Sequence, residues 1–200
     1  MKRVLAVLGM LMTFPCLVLA QSHESADAVG AGLDVGAQFS VFNPDYYCPS
    51  SSPFDCGGPG HLMKGIGAFA DYRVLGRLGI EGEGRWLLWD GGGQTEGNYL
   101  VGPRFRVLRI RKFALFPKFL VGAGTITTAH YPAPGSVKGS FFVYAPGATV
   151  GYKVSRKVTL RADYELQRWP GFGVTLNGVH HGAITPTGFS FGASYKVFGR

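Results

Sequence analysis

Fourteen charged side chains recur at alternate positions of short stretches: Asp34, Asp71, Glu81, Glu83, Asp163 and Glu165 on the acidic side, and Arg73, Arg85, Arg104, Arg106, Lys118, Lys153, Arg161 and Lys196 on the basic side. Six acids against eight bases is close to balance. Mixed charges on a shared face support two kinds of chemistry. One is a packed ionic core in which every charge is held by a partner; the other is a path along which ions pass by exchange of partners. Glu81, Glu83, Arg85, Arg104, Arg106, Lys118, Arg161, Asp163 and Glu165 form the centre of the set, and strand order suggests Glu83 with Arg104 and Arg161 with Asp163 as pairs. Other reactive types are sparse. His180 and His181 stand within reach of Ser190 or Thr187 in sequence, but no acid completes a triad. Cys48 and Cys56 can close a disulfide in an oxidising compartment; with only the distant His61 beside them they fall short of the four ligands of a structural zinc site. No catalytic residue, metal or cofactor is expected.

The charges gain meaning from the stretches that carry them. In the first, Ala31, Leu33, Val35, Ala37, Phe39 and Val41 share one face, and Gly32, Asp34, Gly36, Gln38 and Ser40 the other, a period of two that predicts a strand. The seventh is equally strict, with Val158, Leu160, Ala162, Tyr164 and Leu166 opposite Thr159, Arg161, Asp163, Glu165 and Gln167. Six further stretches alternate in the same way, with Phe69, Phe116 and Leu120 out of phase. Connections run long and short in turn: 43–60, 90–98, 125–139 and 170–186 are long and rich in Gly, Pro, Ser and Asn, whereas the turns around Gly76, Ile110 and Ser155 are short. Eight antiparallel strands joined in this rhythm make an up-and-down barrel spanning residues 31–198.

A leader precedes the barrel. Lys2 and Arg3 stand before an uncharged apolar run, Val4 to Ala20, that closes on Val18 and Ala20, the small-residue positions of a cleavage site. Residues 1–20 are expected to be a cleaved signal peptide, and 21–30 a short periplasmic segment. Cys16 follows Pro15 inside the apolar run, which argues against lipid attachment there. No later run approaches the roughly 18 apolar residues of a membrane helix, so a membrane-spanning form of this chain must cross in strands. The formal charge is +8, with bases spread along the chain without forming a patch. Nucleic-acid binding is not expected from that distribution.

Alternation does not say which face is inside. A lipocalin-like soluble barrel would turn its apolar face inward. Two features oppose that arrangement. The polar face is rich in Gly, which suits the cramped interior of an eight-stranded barrel. Aromatic residues gather at both ends of the strands, with Trp86, Trp89, Tyr99, Phe141, Phe142, Trp169 and Phe189 near the loops and Tyr72, Tyr152, Tyr195 and Phe198 near the turns, like the two girdles of a membrane barrel.

With that arrangement the chain resembles the small eight-stranded outer-membrane proteins with an OmpA-type or OmpX-type barrel, without the peptidoglycan-binding domain of longer members. Its sharpest local element is Ser190, Gly192, Tyr195, Val197 and Phe198, which is similar to the terminal-strand signal that the barrel-assembly machinery recognises; Gly199 and Arg200 follow it where typical members end on an aromatic residue. The resemblance implies a cell outer-membrane location, with lipid and lipopolysaccharide around a barrel expected to be monomeric. Some barrels of this size are lipid A deacylases carrying His-x-Ser on a strand, but His23 and Ser25 precede the first strand, so an enzyme is not expected. The expected role is a scaffold whose outward loops carry any extracellular interaction, with Tyr46, Tyr47, Phe54, Tyr131, Trp169 and Phe172 as contact residues; a narrow or gated pore is the alternative. Pro103, Pro117 and Pro146 fall inside expected strands, where only bulges or strand ends tolerate a missing N–H.

Overall fold

The computed structural model describes residues 31–45, 62–88, 94–129, 136–176 and 179–199. The leader, His23, Ser25, Tyr46, Tyr47, Cys48, Phe54, Cys56, His61, Trp89 and Tyr131 lie outside the described residues. The barrel wall consists of β1 (Gly32–Asn43), β2 (Met63–Leu75), β3 (Leu78–Leu88), β4 (Gln94–Phe105) with its short continuation β5 (Leu108–Ile110), β6 (Phe113–Ala129), β7 (Ser136–Lys153), β8 (Val158–Leu166) and β11 (Thr187–Phe198). Every neighbouring pair is antiparallel. The first and last strands meet, with Ala37 opposite Ala193, and β4 pairs with β6 on the far side. The ring is therefore a closed eight-stranded barrel in which β4 and β5 share one place.

Local sequence explains the corners. Gly76 takes a left-handed φ of 38° in the tight turn between β2 and β3, and Arg111 adopts φ 53° in the turn between β5 and β6. In the third short turn the Ser155 hydroxyl accepts from the backbone N–H groups of Lys157 and Val158, at 3.2 and 3.0 Å.

The faces sort as a membrane barrel requires. Phe39, Ile66, Ile80, Val101, Phe142, Phe191 and Tyr195 are exposed on the outer wall, whereas Gln38, Ser40, Glu81, Arg85, Asn98 and Asp163 are buried inside. A lipocalin would show the reverse. Trp86 and Tyr99 meet edge-on on the outer wall, with the indole N–H donating to the phenolic oxygen at 2.9 Å, as expected of an interfacial pair with one apolar and one polar end.

Two expected loops are shorter than their composition suggested. The strands around the third long loop extend to Ala129 and from Ser136, carried by the β-branched run Thr125, Ile126, Thr127 and Thr128. The stretch expected as a fourth loop instead folds into a hairpin of β9 (Trp169–Leu176) and β10 (Val179–Ile184), joined to the wall by a bridge between Tyr144 and Arg168.

Pro103, Pro117 and Pro146 each have an interrupted ladder on one side and a continuous one on the other. Pairing of β4 with β6 skips from Val101 opposite Val121 to Arg104 opposite Lys118, and Pro103 falls in the gap. Pro117 lies where the partner of β6 changes from β4 to β5, whose pairing is displaced by one residue. Pro146 falls between the last β7–β8 pair, Gly147 with Glu165, and the Tyr144–Arg168 bridge. On the interrupted side a missing N–H costs no ladder bond.

Candidate functional site

Inside the wall the strands deliver side chains in layers. The middle layer is ionic. Lys118, from β6, stands among four carboxylates: its ammonium group lies 2.7 Å from Glu165, 2.9 Å from Glu81, 3.2 Å from Asp163 and 3.4 Å from Glu83. Arg85, from β3, donates to Glu83 at 2.7 Å and to both oxygens of Glu165, at 3.0 and 3.2 Å. Arg161, from β8, donates to Asp163 through Nε at 2.6 Å and through Nη2, and to Glu81 at 2.7 Å. Arg104 binds Asp71 and, at 3.2 Å, Glu81. Thr149 adds a hydroxyl donor to Asp163. Eight of the nine residues singled out in the sequence thus join one network. Arg106 stands at the turn end, where its guanidinium reaches the Gly76 carbonyl at 3.5 Å. The Arg161–Asp163 pair suggested by strand order is made. Glu83 and Arg104 are not partners, because the stagger of the strands brings Glu83 to Arg85 and Lys118 and leaves Arg104 beside Asp71.

Asp71 is the member that the central set omitted, although its alternation placed it inward. Among the described residues the network then counts five carboxylates against four cations, each beside at least one opposite charge, while Asp71 Oδ1, Glu81 Oε2, Arg85 Nε and Arg104 Nε make no hydrogen bond.

The out-of-phase aromatics of the sequence have a purpose here. Phe69 lies under the Arg161 guanidinium, 3.8 Å from its ring centre, and Phe116 lies 4.3 Å from that of Arg104. Each ring thus adds a cation–π contact to a guanidinium that carboxylates also hold. Glycine makes the room. A Cβ on Gly36 would stand 2.4 Å from the Phe69 ring, and one on Gly188 2.4 Å from Phe42. The Gly-rich inner face is the counterpart of large inward side chains across a narrow lumen.

On the loop side of the network the lumen is lined largely by apolar side chains, beside a buried polar pair in which the Asn98 amide donates to Glu96 at 2.9 Å. Phe42, Met63 and Leu87 pack as one group, and Leu100, Leu120, Ile126, Val143, Ala145, Trp169 and Ile184 as another. Trp169 was expected in the outer girdle and as a loop contact, yet it is fully buried. Its indole N–H donates to Gln167 at 3.1 Å, and its ring fills the space over Gly124. Phe141 and Phe172 pack against this group from the rim, with their ring centres 5.1 Å apart. Position near a strand end predicted a girdle for Trp169 and Phe141; the hairpin and the strand phase instead turn them inward.

Below the network, at the turn end, a cavity of about 530 Å³ opens between the wall and the turns. Among the described residues that line it, twelve are Lys or Arg and two, Asp34 and Asp71, are acidic. The bases that seem scattered in sequence are gathered here by the topology, which corrects the expectation that they form no patch.

The last strand places Ser190 inside, hydroxyl to hydroxyl with Ser40 at 2.7 Å. Gly192 is pressed against the Ala37 carbonyl, and Tyr195 and Val197 face outward. Phe198 ends the strand opposite Leu33.

Among solved structures the barrel is similar to Neisserial surface protein A, with a TM-score of 0.58 and 10% identity over 84% of this chain and 98% of that one. It is also similar to the outer membrane protein OprG of Pseudomonas aeruginosa, with a TM-score of 0.53 and 8% identity over 84% of this chain and 96% of that one. No curated protein matches the sequence. Residues 6–196 match the family described as outer membrane protein beta-barrel domain, and, with its closed ring, apolar outer wall and charged lumen, the chain belongs to that family.

Proposed function

We propose that this protein is a sealed outer-membrane scaffold whose extracellular loops carry its interactions, with the lipopolysaccharide surface or with a partner outside the cell. The observation that supports this most directly is the stacking of two closed layers in the lumen. In the ionic network Lys118 stands 2.7 to 3.4 Å from four carboxylates, and the apolar group of Leu100, Leu120, Val143 and Trp169 lies on its loop side. An eight-stranded barrel is only about wide enough for its side chains, so a steady water path would have to displace both layers. The strands carry the loops, and the rim group of Phe141, Trp169 and Phe172 braces the β9–β10 hairpin beneath them. The barrel is proposed to act as a monomer, to reach the outer membrane after loss of residues 1–20, and to be recognised by the assembly machinery through Ser190, Gly192, Tyr195, Val197 and Phe198. A Cys48–Cys56 disulfide is proposed to staple the first loop.

The pore alternative is favoured by one observation, the turn-end cavity, which already opens part of the lumen. Planar-bilayer recording with purified, refolded protein separates the two. The scaffold gives no steady single-channel steps; long-lived, ion-selective steps that change when Glu83 is reversed to Lys would refute it in favour of a pore gated by the ionic network.

A further inference from the structure

The turn-end cavity is not explained by a scaffold role. Its cations come from strands far apart in sequence: Arg73 from β2, Arg106 and Arg109 beside and within β5, Lys153 from β7 and Lys196 from β11. Lys196 shares the cavity with Lys153, Arg73 and Arg109, and Asp34 stands there as a counterweight. Asp34 is also 3.8 Å from Arg73. The other acid, Asp71, is occupied at the cavity floor by Arg104 and Arg161. A wall of low dielectric around so many like charges focuses a strong positive potential into the cavity. Such an arrangement opposes folding of the empty barrel and favours any compact anion that enters.

We infer that this vestibule is a binding site for a small soluble polyanion bearing two or more phosphate groups. The volume of about 530 Å³ falls in the range of small-molecule sites. Guanidinium groups match phosphate oxygens in forked geometry, and lysines add mobile point charges. In outer-membrane barrels the short turns face the periplasm, so the ligand would be met on that side. Two exposed cations of the lining also stand near aromatics of the wall: Lys112 lies 5.9 Å from the Tyr152 ring and Lys157 5.5 Å from the Tyr195 ring. Those positions suit lipid headgroups at the membrane surface, whereas Lys153 and Lys196 suit a ligand inside.

The test uses tripolyphosphate as the probe, with full-length protein in a zwitterionic detergent at about 0.15 M salt. Calorimetry should show saturable binding by the wild type. Lys153→Gln with Lys196→Gln should weaken it at least about tenfold, and Lys153→Arg with Lys196→Arg should retain it. Retained heat modifiability on SDS gels establishes that each variant still forms the barrel. Lys64→Gln, on the exposed face of β2 and outside the cavity lining, should bind the probe within about twofold of wild type. No saturable binding, or wild-type binding by Lys153→Gln with Lys196→Gln while Lys112→Gln with Lys157→Gln loses it, would overturn the inference; the second result would move the phosphate chemistry to the mouth of the vestibule and to lipid headgroups, which flotation with phosphatidylglycerol vesicles would then detect.

Discussion

Replacing Lys118 with Met tests whether the lumen is held together by charge. The side chains are similar in length, so the packing change is small, but one cation is lost from among four carboxylates at 2.7 to 3.4 Å. Counted as ionised, the network goes from five carboxylates against four cations to five against three. Removing one partner from a buried pair costs about 3–5 kcal/mol, because the remaining charge keeps its burial and loses its compensation. With a urea slope of about 2 kcal/mol per molar, the unfolding midpoint of the protein in detergent micelles should fall by about 1.5–2.5 M. Lys64→Met, on the exposed face of β2, should leave the midpoint within about 0.5 M. Adding Glu165→Gln to Lys118→Met removes one of the orphaned carboxylates and should recover part of the loss, a sign that charge, and not volume, sets the cost. A midpoint within about 0.5 M of wild type for Lys118→Met would refute the view that the network is a mutually dependent ionic core.

Two further outcomes follow from the inward packing. Gly124→Ala places a methyl group where the Trp169 ring lies, 2.3 Å from its nearest carbon, whereas a Cβ on Gly82 meets nothing within 4 Å; Gly124→Ala should cost about 1–3 kcal/mol by overpacking and lower the temperature of the mobility shift on SDS gels, while Gly82→Ala should not. With the other two tryptophans changed to Phe, Trp86 fluorescence should be quenched strongly by brominated acyl chains, because its ring lies on the outer wall, and Trp169 fluorescence should be nearly untouched; equal quenching would contradict the burial of Trp169.

The outline of the barrel was legible because one rule governs it. From Val158 to Gln167 no residue breaks the period of two, so the strand and its faces follow from the pleat alone. Phe69 looked like an error of phase and is instead an aromatic partner for Arg161, a contact that depends on a strand nearly a hundred residues away. Partner choice within the ionic network was hidden for the same reason: residue types and faces are local, but which carboxylate meets which cation depends on the stagger between strands. The β9–β10 hairpin was hidden by its composition, since Pro170, Gly171, Gly173 and Gly182 signal a loop while pairing across the hairpin overrides them. The vestibule was the least visible feature, because Arg73, Lys153 and Lys196 become neighbours only when the ring closes.

The long reach of these contacts constrains how the chain enters a bilayer. Ser40 bonds Ser190 across 150 residues, and Arg85 and Arg161 each bond a carboxylate 80 residues away. A first hairpin of β2 and β3 inserted alone would present Glu81, Glu83 and Arg85 to hydrocarbon before β6 and β8 supply Lys118, Glu165 and Arg161, and uncompensated charge in that medium is costly. Contacts so distant in sequence also form late and slowly. Membrane entry and ring closure are therefore one coupled event for this protein: the strands must gather, with their charges already turned toward one another, before the wall commits to lipid.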